Sequence, residues 1–235
     1  MGCVHPKASP AKQADHFKIQ PVHRVQEAQP AANGTITTAD AVDLAGEPQA
    51  NVPEPLRPGN YTPELSEPSS ILSEKDFRAL ADAVPIRHKW RYWRLLYSSG
   101  RDGISLTTLY RKGAGVAPCI LVIRDRGHFV FGCYTAEQWK VAPRYYGTGE
   151  SFVFQLQPNF VHWKWWQQRM NLARNDFFQF GRPECLALGG APRYAISLDN
   201  ELLRGSSGLS ESFGSPCLAS QEDFEIGRVE LWGLV

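Results

Sequence analysis

Over residues 70–84, Leu72, Phe77, Leu80, Ala81 and Val84 recur at helical spacing, Ser73 or Ser70 stands where a cap is needed, and Pro85 ends the run. The pattern predicts one amphipathic helix over residues 73–84. Beyond "WRLLYSSGRDGISLTTLYRK" the period shortens to short β-rich pieces divided by turn residues: "CILVIRDRGHFVFGCY", "SFVFQLQ", "YAISLDNELLRG" and "VELWGLV". Such spacing favours antiparallel sheets over a parallel βαβ arrangement. Two hairpins are expected. Residues 120–123 should pair with 129–133 across Asp125, Arg126 and Gly127, and residues 194–198 with 202–204 across Asp199 and Asn200, which tolerate left-handed backbone.

Composition separates the front of the chain from the rest. The sequence has 235 residues, 43% of them hydrophobic, which fits one domain and some extra chain. Residues 1–70 hold 10 of the 17 prolines but only Phe17 and Tyr61 among the aromatics, too little apolar area to offset ordering entropy. They are expected to be a disordered tail, and 71–235 the folded domain. The tail carries 5 basic and 8 acidic residues and the body 20 and 16, so neither demands a polyanionic partner. Five cysteines at 3, 119, 133, 185 and 217 show no close pairing, and no secretory leader opens the chain, which points to a reducing, cytoplasmic location. The opening "MGCVHPK" places Gly2 for myristoylation and Cys3 for palmitoylation, two chains that together would tether the protein to the cytosolic face of a membrane; Pro6 stands where that motif wants Ser or Thr.

Several segments invite a chemical reading. In "YYGTGESF", residues 145–152, no lysine follows Gly147 and Gly149, and Phe152, Phe154 and Leu156 continue at strand period, so the segment is not a phosphate loop. Glu150 could serve as an acid or base, or accept hydrogen bonds from the preceding glycine turn, the plainer use of a carboxylate at a strand entrance. Asp102 lies in an Arg-Asp-Gly turn, where capping its own backbone is the ordinary role. "RHKWRYWR", residues 87–94, interleaves cations with aromatics as a nucleic-acid surface does. Alternation in "WRLLYSS" instead suggests a strand buried on one side and solvated on the other, and no nucleic-acid partner is expected. In "HWKWW", residues 162–166, aromatics on both sides of a sheet, with Lys164 over a ring, are the plainer explanation. Histidines at 5, 16, 23, 88, 128 and 162 form no H-x₃-H pair and no C-x₂-C occurs, so no metal or other cofactor is implied. Cys119, Cys133 and His128 fall in one expected hairpin and leave a thiol enzyme open, although cysteines in apolar strands are usually inert.

Taken in order, "WRLLYSSGRDGISLTTLYRK", "CILVIRDRGHFVFGCYTAEQWKVAPRYYGTGESFVFQLQP", "FVHWKW", "DFFQFG", "CLALGG" and "YAISLDNELLRGSSGLSESFGSPCLASQEDFEIGRVELWGL" resemble the TLDc domain of oxidation-resistance proteins. The family's S-R-D-G-x-S-L-x-x-L-Y-R block lies on residues 100–111 and its F/Y-Y-G-T-G-E block on 145–150. Gly100 stands where a serine is usual, Asn200 replaces a turn glycine, the segment 166–175 is longer than usual, and the glycine-rich run is cut to Gly189 and Gly190. The resemblance implies an α+β, mainly β fold, a sandwich of two antiparallel sheets flanked by a few short helices. It implies no enzyme but a protein-interaction module that binds the vacuolar proton pump, the V-ATPase, and takes part in oxidative-stress resistance. A structural docking component of another assembly, or a thiol or carboxylate enzyme, are the alternatives. Loops on such a scaffold carry recognition. The candidate contacts are therefore Arg101, Asp102, Gly103, Tyr146, Gly147, Gly149, Glu150 and Trp165.

Overall fold

The computed structural model describes residues 61–165 and 175–235. Residues 1–60 of the expected tail, Gly2 and Cys3 among them, lie outside the described residues. The expected helix is α1, Glu74–Ala83, and it starts where the sequence places its cap: Ser73 accepts from the Asp76 amide while the Asp76 carboxylate takes the Ser73 amide. Phe77, Leu80, Ala81 and Ala83 form its buried stripe. Two further helices, α2 (Ser99–Asp102) and α3 (Leu106–Gly113), follow the first strand.

The strands are β1 (Trp93–Ser98), β2 (Cys119–Asp125), β3 (Val130–Thr135), β4 (Phe152–Gln157), β5 (Val161–Lys164), β6 (Gln179–Gly181), β7 (Cys185–Leu188), β8 (Ile196–Asp199), β9 (Arg204–Ser206) and β10 (Asp223–Leu234). Their ladders are antiparallel, as the turn spacing predicts. In place of two separate sheets, the pairing follows one path, β5-β4-β3-β2-β10-β9-β8-β7-β6, with β1 on β10 as a branch. The hinge of that path is β10. Residues 223–225 pair with β9, and residues from Ile226 onward pair with β2 across a register shift at Ile226 and Arg228.

Side chains of both limbs share one core, with Leu121, Ile123, Phe131, Cys133 and Val153 from one and Leu186, Leu188, Ile196 and Leu198 from the other. A second core lies between the opposite face of the first limb and α1, where Phe77 meets Trp93 and Trp232 edge to face. Strand β1 is therefore buried on both faces. Leu96 and Tyr97 belong to the first core, Trp93 and Leu95 to the second, and only Arg94 is exposed, so the expected solvated side does not exist.

Both expected hairpins form, with altered turns. In the first, Ile120 pairs with Tyr134 and Ile123 with Phe131, and the left-handed residue is His128 (φ 66), while the buried Asp125 carboxylate accepts from the Phe129 and Ser220 amides. The second pairs Ser197 with Ser206 and Leu198 with Gly205, two residues beyond the expected partner strand. Its turn is lengthened because Asp199 accepts from the Leu203 and Arg204 amides, and Leu202 (φ 51), not Asn200, is left-handed.

Residues 61–70, assigned to the tail by composition, pack on the domain. The amide of Trp93 donates to the Glu64 carbonyl, and that of Ser66 to the Trp93 carbonyl, both at 2.9 Å. The clamp is Glu230. Its fully buried carboxylate accepts from the Ser69 hydroxyl (2.6 Å), the Ser70 amide and hydroxyl (2.7 Å each) and Trp232 Nε1 (3.0 Å).

Candidate functional site

The Arg-Asp-Gly block is built where β1 runs into α2. Asp102 is nearly buried, and its Oδ2 accepts from the Ser98 amide at 3.0 Å, the expected local cap. Arg101 Nη2 reaches the same oxygen at 2.9 Å, and Lys112 Nζ, carried in by the last turn of α3, meets Oδ1 at 2.7 Å. The Arg101 and Lys112 cations and the Ser98 amide hold this carboxyl well below the usual range. Arg101 also donates to Glu67 (2.6 Å) and to the Leu96 carbonyl (3.2 Å), so the block ties the incoming chain, β1 and α3 together. Gly103, at φ 80 and ψ 169, makes the corner between α2 and α3; its carbonyl accepts from the Tyr97 hydroxyl, which in turn accepts from the Ser105 amide.

The glycine-rich block forms the approach to β4. Tyr146 pairs with Gln179 through both backbone groups, its hydroxyl donates to the Lys140 carbonyl and accepts from the Lys140 amide, and Lys140 lies over its ring. Burial pushes that hydroxyl up to about 12. Gly147 (φ 102) faces the Gln179 side chain, and Gly149 lies so close to the Trp165 ring that any Cβ would overlap it. Trp165 donates from Nε1 to the Asn175 carbonyl at 3.1 Å and sets its edge on Phe178. Of the long segment 166–175, only Asn175 lies among the described residues. Glu150 departs from expectation. Its carboxylate pairs with Arg87 rather than the glycine turn, because the 3-10 turn Ile86–His88 after α1 brings the guanidinium over it. That hydrogen bond lowers the Glu150 pKa.

The eight expected contact residues thus fall into two groups, Arg101 to Gly103 and Tyr146 to Glu150 with Trp165. No hydrogen bond or ion pair among the described residues joins the groups. The thiol constellation is also dispersed. Cys119 and Cys133 are fully buried, and burial pushes the Cys119 thiol up to about 12 and that of Cys133 higher. His128 is exposed at the hairpin turn, five residues and so roughly 16 Å along the chain from Cys133 at ~3.3 Å per residue. No group of three metal-ligating side chains occurs among the described residues, and no helix there is long and apolar enough to cross a membrane. Sequence reasoning missed Arg87 as the partner of Glu150, and Glu230. Nothing in one chain marks a contact 63 residues apart.

The TLDc domain family model matches residues 65–235, a start that includes the segment held by Glu230. The chain belongs to the TLDc family. It is 37% identical over 199 residues to "Oxidation resistance protein 1" of Homo sapiens and 35% identical to the protein of that name from Xenopus tropicalis; each match covers 84% of this chain and 22% of the relative. It is 37% identical over 172 residues to "Nuclear receptor coactivator 7" of Mus musculus, covering 72% of this chain and 18% of that protein. The chain spans less than a quarter of the length of these curated relatives, and the name "Oxidation resistance protein 1" links TLDc family members to oxidation resistance.

Proposed function

We propose that this TLDc protein is a non-enzymatic adaptor that binds and modulates the V-ATPase, with protection from oxidative stress as the outcome rather than the chemistry. The observation that supports the non-enzymatic part of this reading is the state of Asp102. The best-buried carboxylate of the family signature accepts from Arg101 Nε and Lys112 on Oδ1 and from Arg101 Nη2 and the Ser98 amide on Oδ2, so its acceptor sites are taken up in organising the fold. The buried, raised thiols of Cys119 and Cys133 support the same reading, since the thiolate is the nucleophile. Affinity purification of the intact protein from its own cells, in low and in moderate salt, tests it. Recovery of V-ATPase subunits in both salts is expected. Cytoskeletal or other structural partners alone would favour a docking component, and a turnover activity abolished by Glu150→Gln at unchanged melting temperature would make the protein an enzyme. A tether to the cytosolic face of a membrane through acylated Gly2 and Cys3 belongs to the same proposal, and Gly2→Ala should move the protein from the membrane to the soluble fraction. A native protein already soluble would remove that tether.

A further inference from the structure

The turn over residues 85–92 is the most unusual surface of the described domain. It is wound by short backbone bonds, His88 to the Pro85 carbonyl, Lys89 to Ile86 and Arg91 to His88, yet it shows Ile86 at 74% and Trp90 at 64% exposure, with Tyr92 also exposed. Residues 86–94 contain Arg87, Lys89, Arg91 and Arg94 and no acidic residue. Lys89 pairs with Asp82 at 2.6 Å, Arg91 donates to the Leu234 carbonyl and Trp90 packs edge-on against Tyr61, so Arg87 is the turn's cation whose carboxylate partner, Glu150, comes from the 148–151 loop; exposed aromatics beside an arginine are the composition of interface anchors. Tyr134 and Ser151 are fully buried, and the Tyr134 hydroxyl, Ser151 Oγ and His88 Nδ1 have no hydrogen-bond partner. Burial pushes the Tyr134 hydroxyl up, with Glu150 adding to the push and Arg87 and Arg91 opposing it.

Into this setting the 148–151 loop sends a single carboxylate, Glu150, onto Arg87. Both side chains are about half exposed, at 53% and 42%, where water competes for each partner and the pair is weak. A pair that weak exchanges readily. We propose that Arg87, where the 85–92 turn meets the 148–151 loop, is a carboxylate subsite, paired with Glu150 in the free protein, that takes an aspartate or glutamate side chain from an acidic, apolar-flanked segment of a protein partner. Arg87 presents the planar fork that matches a carboxylate, and the exposed Ile86, Trp90 and Tyr92 beside it offer an apolar rim to flank the pair. The inference rests on the adaptor reading and assigns that adaptor a docking point; the basic turn also fixes the sign of the partner's charge.

The test is fluorescence anisotropy of a labelled peptide of alternating glutamate and leucine, and of its glutamine counterpart, with the full chain and its variants. The wild type should bind the glutamate peptide saturably and the glutamine peptide at least about tenfold more weakly. Glu150→Gln removes the internal competitor and should tighten binding by about two- to fivefold, the equivalent of up to ~1 kcal/mol, whereas Arg87→Gln should weaken it about tenfold or more, and Arg87→Lys less. The opposite signs matter, because a merely structural ion pair would make both variants weaken binding together. Equal losses in the two variants, no change in Glu150→Gln, or equal affinity for both peptides would overturn the subsite. So would binding to phosphatidylserine vesicles without binding to the glutamate peptide, which would assign the turn to a lipid surface. Purification with Arg87→Gln separates this proposal from the adaptor reading. V-ATPase recovered equally by wild type and Arg87→Gln overturns the subsite alone, and recovery by neither removes the adaptor reading while the peptide still decides the subsite.

Discussion

At the scale of single residues, the contacts that matter are those in which one atom too many has no place to go. Gly149 is the sharpest. Its Cα lies against the six-membered ring of Trp165, so Gly149→Ala must displace that ring from Phe178 and from its bond to the Asn175 carbonyl. A loss of about 1–3 kcal/mol is expected in urea unfolding, and Trp165→Leu in the same chain should recover part of it. Simple additivity of the two changes would show that the close approach is not the cause. His162 gives a pH test. Its ring lies partly buried against Phe152 and Phe160, and burial, with Lys164 beside it, lowers its pKa to about 4 from 6.5. The unfolded chain therefore takes up a proton that the folded one refuses, and stability falls as pH drops from about 6.5 toward 4, by no more than about 3 kcal/mol and less where solvent reaches the ring. His162→Phe keeps the ring stack and should flatten that slope in denaturant titrations between pH 7.5 and pH 4.5, about the window of the shift. An unaltered slope would assign the titration to other groups.

At the scale of elements, helix α3 shows how a short segment is placed by its cap. Ser105 accepts from the Thr108 amide, Leu106 and Leu109 face the core, and the last turn swings Lys112 onto Asp102. Ser105→Ala should cost about 0.5–2 kcal/mol. The cost should shrink in an Asp102→Asn background, since a frayed α3 then has less of its ion pair to lose; an unchanged cost would mean that cap and ion pair act independently. The signals for this helix, a serine followed by leucines three apart, stand in "SLTTL", yet eight residues beside a strand-rich region give too few turns for periodicity to decide. The first hairpin was legible because Asp125 and Gly127 interrupt two apolar runs. The second was displaced by the Asp199 side chain, which extends the turn by hydrogen bonds that no propensity records.

At the scale of the molecule, the incoming segment and the last strand hold each other. Both oxygens of Glu230 accept donors only, from Ser69, Ser70 and Trp232, so the amide of Glu230→Gln must point a donor at a donor. Loss of about 1–3 kcal/mol is expected, together with faster thermolysin cleavage at Leu65 and Ile71, because the segment is then held by fewer bonds. Equal cleavage rates in the variant and the wild type would show that the strand pairing of Ser66 and Trp93 suffices alone.

The sequence by itself determined the family, the mainly antiparallel β class, the capped first helix, both hairpins and the two signature blocks, because each is written in local period, turn chemistry or contiguous motif. It also marked Asp102 as a structural carboxylate, since a cap acts within a few residues. What only the tertiary structure decided are the meetings of distant chain: Arg87 with Glu150, Trp165 with Gly149, Glu67 with Arg101, and Ser69 and Ser70 with Glu230. It also decided that residues 61–70 pack on the domain and that β10 joins both limbs of the sheet in one path. The physical reason is the same in each case. Composition and periodicity report what a residue prefers within one turn or one strand, whereas a half-exposed ion pair, a ring on a glycine or a saturated buried carboxylate depends on which segments the closed core brings within a few ångströms of one another.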